Sequence, residues 1–333
     1  MRISELRSQV RAQLLEFAWD QWAQMGVFAA TRRADRWAAD PEALLLLTFE
    51  VGRADARLFD EVLDWLVVNE RLVSVQRLRN LCRDDTDRAL AEASLAWAAQ
   101  WRPRSRPGNR RRRAGSDRAR AQPLFRGLSS RGTRGDDVFR THGWLKPTTE
   151  RSRKSEPPNV LAPINFAFRL RQLLGVGARA EVIRFLLTVD APRLTAQVIA
   201  ASAGYAKRNV QEALTHLLSA DVVDSVTVGN EQRYSIDRAR WATLFGLAAD
   251  DFPSHRDWPQ LFHALRVLAR WLDDDRHDKL SDHILASEAR TVADQITPEL
   301  RYAGVRLDRE VGLGAEYWQD FVELANAALG ALR

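Results

Sequence analysis

Residues 178–240 read ARAEVIRFLLTVDAPRLTAQVIAASAGYAKRNVQEALTHLLSADVVDSVTVGNEQRYSIDRAR, and this stretch decides the fold. Val182, Ile183, Leu186 and Leu187 share one helical face. Pro192 stops that helix, and Thr195 offers an N-cap oxygen to the next, which carries Val198, Ile199 and Ala203. That second helix ends at Gly204, where a tight turn favours a residue without Cβ. In a third helix Val210, Ala213, Leu214, Leu217 and Leu218 are spaced three, four and seven apart. Alternation begins at Val226 and Val228, reverses through Gly229-Asn230 and resumes at Tyr234 and Ile236, the pattern of a β-hairpin.

This order, with the spacing Ala200-x3-Gly204-x5-Val210, resembles winged helix-turn-helix regulators of the MarR and ArsR type. The resemblance covers 63 of the 333 residues. It implies a third helix that enters the DNA major groove and a wing that touches the backbone. By position, the contact residues it implies are Lys207, Arg208, Asn209, Gln211 and Thr215 on the helix and Arg233 on the wing. Arg and Lys suit guanine, and Asn and Gln suit adenine. The chain departs from the pattern at Ala206, where such families place a Ser or Thr cap. The 63 residues carry eight Lys or Arg against seven Asp or Glu, and Glu212 sits on the reading face. A protein-docking role without nucleic acid therefore stays open.

The formal net charge of the whole chain is +6. Residues 102–158 alone hold 17 Lys or Arg against 5 Asp or Glu, a net of +12, which leaves −6 for the remainder. The segment is expected to be a largely disordered basic linker, too poor in apolar residues to repay ordering its backbone. Its run Arg110, Arg111, Arg112 and Arg113 points to a polyanion, with each neutralised phosphate releasing a counterion. A solubilising spacer and an RNA-binding arm are the alternatives. Leu124-Phe125 and the island from Val138-Phe139 to Trp144-Leu145 interrupt the polar run as unpaired docking segments.

Four parts are expected: a helical domain over 1–101, the linker 102–158, a lead-in helix with the winged helix over 159–240, and a C-terminal helical domain over 241–333. The fold class is mostly α with one small hairpin. The first part reads as a bundle, or as a degenerate helix-turn-helix around Ser74–Leu81. Trp19, Trp22, Trp65, Trp97 and Trp101 read as core, with base stacking as the alternative. The stripe Phe321, Leu324, Ala325, Ala328 and Leu329 near the C-terminus is the expected dimer or partner surface.

The single cysteine, Cys82, excludes an internal disulfide and fits a reducing compartment. No apolar run is long enough to cross a membrane, and the N-terminus lacks a signal-type core, so a cytoplasmic protein is expected. No phosphate-binding loop or dinucleotide fingerprint occurs, and Gly175-x-Gly177 lacks the remainder of one. Asp273, Asp274, Asp275, His277 and His283 form the only cluster resembling a metal site, and the six-residue histidine spacing fits a solvated acidic helix end better. The sequence therefore predicts no enzyme, no metal and no cofactor. It predicts a dimeric regulator of double-stranded DNA. The overall layout also resembles winged-helix antitoxins that neutralise a co-encoded nucleotidyltransferase-type toxin and repress their own operon, which would supply a protein partner.

Overall fold

The computed structural model describes residues 1–29, 37–102, 121–127, 134–248, 251–306 and 314–333. The chain is mostly helical with a small antiparallel sheet. Its elements in order are α1 (Ile3–Gln24), α2 (Pro41–Val51), α3 (Ala56–Asn69), α4 (Val75–Leu81), α5 (Asp85–Ala99), β1 (Gln122–Pro123), α6 (Asp137–Thr141) and β2 (Trp144–Leu145). There follow α7 (Phe166–Leu174), α8 (Ala178–Thr188), β3 (Leu194–Thr195), α9 (Ala196–Ala203), α10 (Lys207–Ser219), β4 (Asp224–Val228) and β5 (Glu231–Ser235). The chain ends with α11 (Arg238–Phe245), α12 (Trp258–Leu272), α13 (Asp282–Tyr302) and α14 (Tyr317–Gly330).

The body is built around α2. Its sequence PEALLLLTFEV is apolar on every side, and every residue of it is buried, as expected of a helix surrounded by others. Asp40 caps it through the Ala43 N–H at 3.0 Å, with Pro41 at the first position. Helices α1, α3, α4, α5 and α12 pack around it. The C-terminal helices thus join the same core as the N-terminal ones, and residues from Ile3 to Leu332 form one apolar cluster. This corrects the expected division into separate helical domains at 1–101 and 241–333. Periodicity identifies each amphipathic face but does not say which other face will cover it. The stripe of α14 is an example, since Phe321, Ala325, Ala328 and Leu329 are buried against the chain's own helices. Trp22 and Trp65 are also core, their indole N–H groups donating to Thr48 Oγ1 and to the Met25 carbonyl, both at 2.7 Å.

The basic segment also departs from expectation. Where it is described, its apolar islands are covered by α3 and its surroundings. Leu124, Phe125, Phe139, Trp144 and Leu145 are buried. Phe125 and Phe139 both pack edge-on against Phe59, with centroids 5.7 and 5.9 Å apart. Strands β1 and β2 pair in parallel, Gln122 opposite Trp144. Lys146, fully buried, reaches Asp60 at 2.7 Å, and Arg151 reaches Asp64 at 2.5 Å. Further on, the Glu156 N–H donates to the Gly26 carbonyl at 2.8 Å. Gly26 has φ +103°, and a Cβ there would meet the Glu156 oxygen at 2.2 Å, so only glycine fits. Few apolar residues suffice because the body supplies the surfaces they land on, Phe59 of α3 for Phe125 and Phe139 and the Arg53 guanidinium for Trp144. Composition within the segment does not register those surfaces. Arg110, Arg111, Arg112 and Arg113 lie outside the described residues.

A second core gathers residues 166–252, with α7 packed on α8 as the lead-in helix was expected to be. Between the two cores lies a buried, charge-balanced cluster. Arg77 forms a two-pronged pair with Asp40 and also reaches Glu42 at 2.9 Å. Arg171 bridges Glu42 and Glu181 at 2.7 and 2.6 Å, and Arg184 reaches Glu181 at 2.8 Å. Burial alone would raise the Asp40 and Glu181 carboxyls. The surrounding guanidiniums outweigh it and hold both below their usual range.

Asp257 behaves in the opposite way. It caps α12 through the Gln260 N–H at 3.2 Å, yet burial raises its carboxyl to about 6 from the usual 3.8. The folded chain holds this proton more tightly than the unfolded one, so the group's contribution is full below about pH 4 and is lost as pH rises through 6. Asparagine caps a helix as well as aspartate and carries no charge. Asp257→Asn should therefore be more stable than wild type at pH 7.5, by about 1–2 kcal/mol, and no more stable at pH 4. Denaturation curves at the two pH values check the sign.

Candidate nucleic-acid interface

Helices α8, α9 and α10 and strands β3, β4 and β5 form one unit. The strand order is β3-β5-β4, all antiparallel, with Leu194 opposite Tyr234 and Val226 opposite Arg233. Strand β3 is two residues long, too short for any alternation to announce it in the sequence. Thr195 caps α9 through the Val198 N–H at 3.4 Å. Gly204 closes the helix at φ 71°, the left-handed conformation that glycine accepts without strain. Ala206 gives α10 no side-chain cap, as the sequence implied.

Helix α10 buries Val210, Ala213, Leu214 and Leu217 against the second core. At 100° per residue, Arg208, Thr215 and Glu212 stand opposite it, with Gln211 beside them and Lys207 at the rim, all of them exposed. Among the described residues neither Lys207 nor Arg208 has a carboxylate partner. The Thr215 hydroxyl donates to the Gln211 carbonyl at 2.9 Å, which leaves its lone pairs outward. Four of the five helix residues singled out in the sequence are thus brought together.

The fifth, Asn209, lies on the adjoining edge. With Glu212 and His216 it lines an open groove of about 290 Å³, whose other wall is residues 174–179. Across it the Arg179 guanidinium lies 3.3 Å from His216 Nδ1. Arginine can only donate, so a hydrogen bond across the groove uses Nδ1 as the acceptor. No spacing rule links Arg179 with His216, because 37 residues separate them.

Arg233 stands on β5, the central strand of the wing, half-buried, with Glu231 at 3.6 Å. The hairpin tip is Gly229-Asn230, and β4 is exposed along its whole length. A charge offset in this way gives a phosphate little attraction.

The acidic cluster near residue 273 is tied up within the chain. Asp273 pairs with Arg11 at 2.7 Å and also with Arg126. Asp274 pairs with Arg276 at 2.9 Å, and the buried His277 reaches Glu288 through Nε2 at 2.9 Å. No helix among the described residues is long and apolar enough to cross a membrane. Comparison with protein-family models, with curated proteins and with solved structures gives no match.

Proposed function

We propose that the protein binds duplex DNA as a regulator of the winged-helix kind, with α10 in the major groove and the arginines of the basic segment adding sequence-independent affinity. One observation carries this reading. The exposed residues Lys207, Arg208, Gln211 and Thr215 stand on a helix that is firmly seated on its other side. It offers two cations without a carboxylate partner among the described residues and two polar groups on one side of the helix, the chemistry that base edges and phosphates accept. The hairpin beside it leaves backbone and side chains open for the flanking strand.

Arg208→Ala tests it. Loss of a two-pronged base contact should weaken binding to a selected duplex by about 1–3 kcal/mol while changing non-specific binding much less. Duplexes selected from a random pool, followed by anisotropy titration, give both numbers. Equal affinity of variant and wild type for the selected duplex removes α10 from the interface.

A second reading, docking onto a protein, draws on Glu212, on the same exposed side of α10, and on the exposed Glu231 of the hairpin, since both repel phosphate. The surfaces that pointed to a co-encoded partner, the apolar islands and the α14 stripe, are buried within the chain. Among the described residues of those two places, partly buried ones such as Val138 and Leu324 are what remains for a toxin or a second copy to cover.

A further inference from the structure

The turn between α9 and α10 is held from outside as well as by its own bonds, in which the Gly204 and Tyr205 N–H groups donate to the Ala200 carbonyl at 3.1 and 3.3 Å. Three consecutive residues of it are gripped from the helical body, by α4 and the residue that caps it. Arg77 Nε donates to the Ala203 carbonyl at 2.7 Å, from 126 residues away in the chain. Asn80 Nδ2 donates to the Gly204 carbonyl at 3.1 Å. The hydroxyls of Ser74, the α4 cap, and Tyr205 share a hydrogen bond of 2.6 Å. The approach is close, since a Cβ at Gly204 would lie 3.1 Å from Arg77 Nε and 3.3 Å from Leu81 Cδ2. Arg77 is in turn fixed by Asp40 and Glu42 at the start of α2. A continuous strut therefore runs from the central helix of the body, through α4, to the end of α10 where Lys207 and Arg208 stand.

We propose that α4 sets the pitch of α10 against its ligand, with Asn80 as a positioning residue. The affinity of the α10 face for nucleic acid then depends on the helical body. The proposal rests on the reading of α10 as a DNA-contacting helix. A helix of this length spans about 20 Å, so a tilt of about 10° at one end moves the other by about 3 Å. That is enough to break a two-pronged contact that needs donor and acceptor within about 3.2 Å. Arg77 is unsuited to the test, because removing a buried charge unfolds chains for other reasons. Asn80 is exposed, and its bond to a carbonyl competes with water. Its loss removes one of the three outside grips on the turn at little cost to the fold.

The experiment uses the full chain as wild type, Asn80→Ala and Asn80→Gln. It measures melting temperature, anisotropy on a duplex selected by the wild type and on an unrelated duplex, and hydrogen exchange at amides 205–210 without DNA. Asn80→Ala should keep its melting temperature and bind the selected duplex about 5-fold or more weakly. It should bind the unrelated duplex as before and exchange those amides faster. Asn80→Gln, which keeps an N–H donor, should recover most of the affinity. Unchanged exchange, or faster exchange with unchanged affinity, overturns the proposal. Equal weakening on both duplexes overturns it as well, by making Asn80 a direct phosphate contact. If the wild type binds no duplex at all, the DNA reading has failed. The exchange data then decide the strut alone, faster exchange in Asn80→Ala supporting it and unchanged exchange ending it.

Discussion

Arg171→Met should cost about 3–5 kcal/mol of folding stability, the largest effect expected of a single substitution in this chain. The side chain is buried, and it donates to Glu42, to Glu181 and to the Leu72 carbonyl at 2.7 Å. The cluster holds three guanidiniums, Arg77, Arg171 and Arg184, and three carboxylates, Asp40, Glu42 and Glu181, so it is neutral as a whole. Methionine fills much of the volume but leaves one negative charge without its counterion between two apolar cores. Adding Glu42→Gln restores the balance, leaving Arg77 with Asp40 and Arg184 with Glu181. The double variant should then be less destabilised than the two single losses added together, by about 1–3 kcal/mol. Urea denaturation of the four proteins gives the coupling directly, and additive losses would show that the cluster does not act as a unit. The wild type should also weaken in acid. Glu181 and Asp40 bind protons less readily folded than unfolded, so their stabilisation is present above about pH 4.5 and falls away below it. Burial and the nearby Arg184 push the His255 imidazole down to about 3, so its share of the loss begins already below pH 6.5.

Deleting residues 104–120 should lower affinity for every duplex by a similar factor and flatten the salt dependence of binding. The stretch holds eight arginines, Arg110–Arg113 among them, against one aspartate. Each phosphate neutralised on a duplex contributes about −0.9 to the slope of log affinity against log salt. If about four of the eight meet phosphates, the slope changes by about 3.6, or roughly 10²-fold between 50 and 200 mM salt. The ratio of selected to unrelated affinity should hardly move, because phosphate contacts carry no sequence information. Anisotropy titrations of the two proteins over that salt range provide the comparison. An unchanged slope would leave the arginines as a solvated spacer and place the whole burden of binding on α10. Combined with Arg208→Ala, the deletion separates affinity from specificity, since each should act on one and leave the other.

Local pattern determined a good part of this protein. The helix, helix, helix, hairpin order of residues 178–235 followed from apolar spacing, from Pro192, from Gly204 and from Gly229-Asn230, because each of these acts within a few residues of itself. The exposed side of α10, with Lys207, Arg208, Gln211 and Thr215, was legible for the same reason. Once Val210, Ala213, Leu214 and Leu217 fix the buried side of a helix, the other side is fixed too. What faces what was decided only in three dimensions. Phe139 and Trp144 look unpaired in the sequence because their cover, Phe59 of α3 and the Arg53 guanidinium, lies some eighty to ninety residues away. The α14 stripe was read as a partner surface because nothing in its sequence states that α1, α12 and α13 will enclose it. Arg77, Arg171 and Glu181 are ordinary charged residues on short helices until the fold removes water from all of them at once. Asn80 and Gly204 meet for no local reason. Hydrogen bonds and burial depend on distance in space, and in a chain of this length that distance is set by how the two cores close on one another.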